Sequence, residues 1–209
     1  MNKNLDQLFI DHQTDKSSKG HNYSPTYERF FKEYRELPIE LLEIGIDKGD
    51  SLRAWEEYFP NAVINGVDII DCTKDETLSI NIWQGSQTDA KFLDQLFQEI
   101  DPLIIIDDGS HVSTDQIFTF EYLFPKLKSG GYYCIEDILC SFDSRWNQGG
   151  NVMDRIRQMV GEVQMNGNIP GSVLCANKFE AVKKYEGSYF DQHIEWVFLA
   201  CGICVIKKI

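Results

Sequence analysis

The sequence predicts an α/β protein on a mostly parallel sheet that ends in an antiparallel hairpin. Three observations carry this. Short apolar runs alternate with amphipathic stretches from Leu41 onward. One run, Leu103 to Ile106, reads Leu-Ile-Ile-Ile, the mark of a strand covered on both faces. The last two apolar runs are joined only by Cys201-Gly202, which suits a tight hairpin and leaves no room for a crossover helix.

The elements follow in order. Residues 1–24 are polar and read as an arm. Pro25 to Tyr34 predicts a helix, with proline in its first turn and Ser24 as its cap. Leu41 to Ile46 is a buried strand and Ser51 to Tyr58 a helix. Val63 to Val67 is a strand ending at Asp68, and Ile80 to Trp83 is a third. Phe92, Leu93, Leu96, Phe97 and Ile100 share one helical face within Asp89 to Ile100. Ser113 to Leu123 is a helix, with Ser113 and Gln116 spaced as a capping box. Gly130-Gly131 turns into the strand Tyr132 to Ile135. Ile194 to Ala200 and Ile203 to Lys207 form the hairpin. Strands alternating with helices imply a parallel sheet.

The chain reads as one domain over 1–209, with an N-terminal arm and helix at 1–38. Residues 139–172, rich in Gly, Asn and Asp, read as an insertion or flap over the sheet, with a helix near Met153 to Val163. At 43% hydrophobic and 12% aromatic, 209 residues can bury a full core. The 20 basic residues against 33 acidic ones give a net charge of −13. That balance argues against nucleic acid, which needs Lys and Arg to displace counterions. It equally disfavours an anionic membrane. The N-terminus has no apolar targeting core. The longest nearly continuous apolar run, Trp196 to Ile206, is shorter than the ~20 residues of a membrane span and reads as core. Six cysteines without a signal peptide suggest a reducing, cytoplasmic setting. Small-molecule chemistry and protein partners remain, and a homo-oligomer stays open.

Ligands of such sheets bind beyond the carboxyl ends of the strands. Nearly every strand exit here carries an acid or a glycine. Gly45 and Gly49 after strand one allow close backbone approach to a ligand. Asp68 after strand two is placed to accept from both hydroxyls of a ribose. The Gly45-x-x-x-Gly49 spacing lacks the three glycines of a pyrophosphate site. Glu43, inside the strand, suits an ammonium or a ribose, so S-adenosylmethionine fits better. Strand four ends in Asp107-Asp108-Gly109-Ser110-His111 and strand five in Glu136-Asp137. Carboxylates on adjacent strand ends cannot all ionise without a cation. Hard oxygen ligands point to Mg²⁺, and His111 suits proton transfer near neutral pH. Cys201-x-x-Cys204 has redox spacing but sits at a strand turn, without the helix N-terminus that activates such thiols. Trp146 and Phe142 suit either a sugar site or packing within the insertion.

These motifs, LLEIGIDKGDSL, Asp68, Gly85-Ser86-Gln87, IIIDDGSH and GGYYCIED, resemble class I S-adenosylmethionine-dependent methyltransferases. Within them the pattern is most similar to Mg²⁺-dependent sugar O-methyltransferases of the mycinamicin and macrocin type. The resemblance runs through most of the chain, including Thr14-Asp15-Lys16, His21-x-Tyr23 and the terminal hairpin. It implies a Rossmann-like class I methyltransferase sheet. It implies metal ligation by Asp108, Glu136 and Asp137, with His111 as base. It implies cofactor contacts from Thr14, Glu43, Gly45, Ser51, Asp68, Ser86, Gln87 and Asp107, beside the loop glycine Gly49. Asp47 replaces a glycine common in that loop. Ile194-Glu195-Trp196-Val197 stands where the family often has Ile-His-Phe-Tyr. The expected activity is methyl transfer to a sugar hydroxyl of a glycosylated natural product or surface-polysaccharide precursor. A metal-dependent hydrolase using the same acids, or a non-catalytic cofactor-binding module, stays open on the residues alone.

Overall fold

The computed structural model describes residues 3–72, 74, 76–165 and 188–209. Seven strands form one sheet: β1 (Glu40–Ile44), β2 (Val63–Asp68), β3 (Ile80–Gln84), β4 (Ile104–Asp107), β5 (Tyr132–Ile135), β6 (Ile194–Ala200) and β7 (Ile203–Lys208). Their spatial order is β3-β2-β1-β4-β5-β7-β6. The first five are parallel, while β7 runs antiparallel to both β5 and β6. The expected fold class is therefore present, including the hairpin at Cys201-Gly202.

Apolar side chains of the parallel strands divide between two faces. Leu41, Ile104 and Ile106 pack on one side, beneath α1 (Leu5–Asp11), α2 (Ser24–Phe31) and α3 (Asp50–Tyr58). Leu42, Ile44 and Ile105 pack on the other, beneath α4 (Ala90–Glu99), α5 (Ser113–Leu123) and α6 (Val152–Met165). A short α7 (Tyr189–His193) leads into β6. Among the described residues, no helix is long and apolar enough to cross a membrane.

Several local expectations are corrected. The arm is not merely polar: Leu5, Leu8 and Phe9 make one buried stripe of α1, and the Phe9 ring meets Trp55 edge-on at 4.9 Å. Asn4 caps that helix by accepting from the Gln7 amide. Ser24 does not cap α2 but lies inside it, donating its hydroxyl to Asp6 Oδ1 at 2.7 Å. The second helix also ends at Phe31 and tightens into a 3₁₀ turn at Lys32–Tyr34. The Ser113/Gln116 capping box does not form, because the Gln116 amide donates instead to the Glu136 carbonyl at 2.9 Å. The Trp196–Ile206 run is only half core. Strand β7 is buried, but β6 is the sheet edge and Leu199 is exposed. The end of the expected insertion, 166–172, and Cys175 lie outside the described residues.

Candidate active site

Parallel register brings the strand exits together. Ile44 of β1 lies beside Asp107 of β4, which lies beside Ile135 of β5. Gly45 follows with φ +82°, a conformation that glycine adopts without strain. A Cβ there would lie 2.1 Å from the Asp108 carbonyl oxygen, so only glycine allows these exits to touch. Gly49, at φ +70°, is the N-cap of α3.

Two clefts of about 230 Å³ each flank Gly45. Asp68, Gly85, Ser86 and Gln87 line the first. Thr14, Lys16, Ser51 and Asp108 line the second. Each alone is smaller than the roughly 300–1,000 Å³ usual for a ligand site. Gly45 lines both, and their volumes taken together fall in that range. Asp68 ties the wall between them: its Oδ2 accepts from the Ile46 amide at 3.0 Å and the Asp47 amide at 3.2 Å. Gln87 is locked by the Ser110 amide, which donates to its Oε1 at 2.7 Å.

Three expected cofactor residues line neither cleft: Gly49, the cap of α3, and the buried acids Asp107 and Glu43. Asp107 is fully buried and accepts from Gln87 Nε2 at 3.2 Å and the Tyr133 hydroxyl at 3.3 Å. Burial pushes its carboxyl up to about 7. Glu43 is also fully buried, and burial raises its pKa as well. Its Oε2 accepts from Trp55 Nε1 at 2.9 Å, while its Oε1 lies 3.3 Å from the Lys16 ammonium. The ammonium facing Glu43 thus belongs to the chain itself.

At the mouth of β4 and β5, Asp108, His111 and Asp137 bring ligand atoms within 4.8 Å of one another. His111 Nε2 is 3.6 Å from Asp137 Oδ2. Both residues adopt positive φ, at +56° and +51°, a conformation costly for side chains other than glycine. Such strain persists where surrounding structure enforces it, commonly at functional sites. His111 Nδ1 is buried without a hydrogen-bond partner, and the ring meets Trp146 edge-on at 6.2 Å. Two half-buried, convergent carboxylates fit a hard divalent ion, and the imidazole beside them suits proton transfer. Glu136 stands apart from this group. It is buried, accepting from Lys16 Nζ at 2.8 Å and from the Tyr27 hydroxyl. Burial raises its carboxyl well above the usual carboxylate range.

The resemblance singled out Thr14-Asp15-Lys16 and His21-x-Tyr23 in the arm, with Thr14 at the cofactor, but did not place Lys16, His21 or Tyr23 against the acids. Lys16 donates to Asp108 at 2.5 Å, and the Tyr23 hydroxyl donates to Asp137 Oδ1 at 2.7 Å. His21 Nδ1 lies 3.4 Å from the same Asp137 oxygen. The Leu5, Leu8, Phe9 spacing was the available signal, since it marks a helix that anchors the arm. In the insertion, the Trp146 carbonyl accepts from the Ser113 amide at 2.8 Å and so sits beside His111, whereas Phe142 is exposed. Cys201 is exposed and Cys204 buried, its thiol pushed up by burial, and none of the five described cysteines is in a disulfide.

No family model matches the chain. Mycinamicin VI 2''-O-methyltransferase of Micromonospora griseorubida is 38% identical over 146 residues, covering 66% of this chain and 37% of that protein. Demethylmacrocin O-methyltransferase of Streptomyces fradiae is 36% identical over 212 residues, covering 98% of this chain and 53% of that protein. The chain therefore spans about a third to a half of the curated relatives it matches. The MycE methyltransferase of the mycinamycin biosynthetic pathway, solved with Mg and SAH, superposes with a TM-score of 0.87 at 27% identity. That match covers 100% of this chain and 54% of MycE. In sequence and in fold, this chain is a relative of the sugar O-methyltransferases of the mycinamicin and macrocin type.

Proposed function

We propose that this chain is an S-adenosylmethionine-dependent, Mg²⁺-assisted O-methyltransferase acting on a sugar hydroxyl of a glycosylated small molecule. The observation that carries the reading is the Asp108, His111, Asp137 cluster beside the paired clefts at Gly45. The relatives named above support the chemistry.

In this reading Asp68, Ser86 and Gln87 bind the nucleoside end of the cofactor, and Thr14, Gly45, Gly49 and Ser51 bind its amino-acid end. Asp107 and Glu43 act from behind the wall, by fixing Gln87 and Lys16. Asp108 and Asp137 hold the divalent ion. Glu136, the third acid expected at the ion, would join them from its place against Lys16 and Tyr27. When bound, the cofactor supplies an activated methyl group and the ion lowers the pKa of the acceptor hydroxyl. His111 takes the hydroxyl proton at Nε2, the ring nitrogen that faces the cluster. Tyr23 keeps Asp137 oriented. Trp146 shields the acceptor from water. The acceptor is a soluble metabolite and the setting cytoplasmic, which suits five described cysteines none of which is in a disulfide.

The test is binding followed by turnover. Calorimetry measures S-adenosylhomocysteine and Mg²⁺ affinity, and a mass-spectrometric screen of glycosides and sugar nucleotides with labelled cofactor finds the acceptor. Absence of S-adenosylhomocysteine binding would sink the reading.

A further inference from the structure

Lys16 is the least expected residue of the site. It is 1% exposed, yet it carries a charge. Burying an unpaired ammonium is costly, so its partners must compensate. Those partners come from three strands or their exits: Glu43 of β1 at 3.3 Å, Asp108 after β4 at 2.5 Å and Glu136 after β5 at 2.8 Å. Asp108 is the shared member, since it also belongs to the cluster with His111 and Asp137.

The arm holds Lys16 rigidly. Its carbonyl accepts from the Tyr23 amide at 2.9 Å and the Ser24 amide at 3.2 Å, and its own amide donates to Thr14 Oγ1 at 3.3 Å. Docking of the arm does not itself need the lysine. Leu5, Phe9, Tyr23, Tyr27 and Phe31 already bury an apolar face. What the ammonium adds is direction: it fixes where the carboxylates of Asp108 and Glu136 point.

We infer that Lys16 is a positioning residue that orients Asp108 and Glu136 for a divalent ion, so the N-terminal arm completes the metal site. This rests on the metal reading given above. Groups that hydrogen-bond metal-ligating carboxylates set ligand orientation, and losing one typically lowers metal affinity about 10–100-fold.

The experiment is Mn²⁺ titration calorimetry on wild type, Lys16→Met, Lys16→Gln and Leu8→Ala. Leu8→Ala loosens α1 without touching an acid. Both Lys16 variants should bind Mn²⁺ about 10–100-fold more weakly, with Leu8→Ala at wild-type affinity. Unchanged or tighter binding in the Lys16 variants overturns the inference; tighter binding is what simple removal of a positive charge would give. An equal loss in Leu8→Ala also overturns it, because arm docking alone would then suffice. Absence of Mn²⁺ binding in wild type overturns the metal reading itself. One measurement needs no variant to fold. Brief acetylation of wild type, read by mass spectrometry, should modify exposed Lys48 and spare Lys16 with or without Mn²⁺. A reactive Lys16 in either state overturns the inference.

Discussion

Gly45 and Asp108 lie so close that any side chain on the first would strike the carbonyl of the second, at 2.1 Å from an ideal Cβ. The contact joins the exits of β1 and β4 and forms the floor between the two clefts. Gly45→Ala must push those exits apart and also hold alanine at positive φ. Backbone strain of this kind costs about 1–3 kcal/mol. For a chain of this size, about 1 kcal/mol corresponds to roughly 2–4 °C. A melting temperature lowered by about 2–12 °C is expected, with loss of S-adenosylhomocysteine binding. Wild-type values for both would refute the close approach.

His111→Ala should lower kcat by about 10²–10⁴-fold, the usual contribution of a positioned general base. Cofactor-product affinity should stay unchanged, because His111 lines neither cleft. Full turnover with a confirmed acceptor would remove His111 from the mechanism.

Chelation should stop transfer and leave S-adenosylhomocysteine binding intact. Asp137→Asn should weaken Mg²⁺ binding and disturb the Tyr23 contact, raising the Mg²⁺ needed for half-maximal rate by about tenfold or more. A rate indifferent to chelator contradicts the metal role.

Asp6 gives a pH test away from the site. Burial acts to raise its pKa, but hydrogen bonds from the Ser24 and Ser18 hydroxyls and the Ser18 amide leave it below the usual value. A lowered folded pKa means that ionised Asp6 stabilises the fold above its unfolded pKa. The contribution disappears as pH falls through the folded pKa. Asp6→Asn should therefore lower the melting temperature by about 2–4 °C at pH 7, for about 1 kcal/mol of lost hydrogen bonding. At a pH below the folded pKa of Asp6 the two proteins should converge. An equal difference at both pH values would show that no ionisation is involved.

Phe9→Ala tests the arm as part of the core. Phe9 is fully buried against Tyr27 and Trp55. Its truncation should cost about 3–5 kcal/mol, readable by denaturant unfolding. A loss below about 1 kcal/mol would make α1 a loosely attached appendage.

The sequence alone determined the order of strands and helices and where chemistry collects. An apolar run such as Leu103 to Ile106 can be satisfied only inside a covered parallel sheet. Glycines and acids at successive strand ends must then meet along one edge. It also pointed to Asp108, His111 and Asp137, because adjacent strand exits bring neighbouring residues together whatever their side chains do. Tertiary structure decided which of these acids are buried. Glu43, Asp107 and Glu136, which the motif reading put at the rim with Asp68, Asp108 and Asp137, are buried. Side-chain direction at a strand end follows partners on other elements: Trp55 for Glu43, Tyr133 for Asp107, Tyr27 for Glu136. Tertiary structure also revealed the burial of Lys16, since the Thr14-Asp15-Lys16 motif does not show what the ammonium meets. Its place depends on three carboxylates that lie 27, 92 and 120 residues away in the chain and meet only when the sheet has formed.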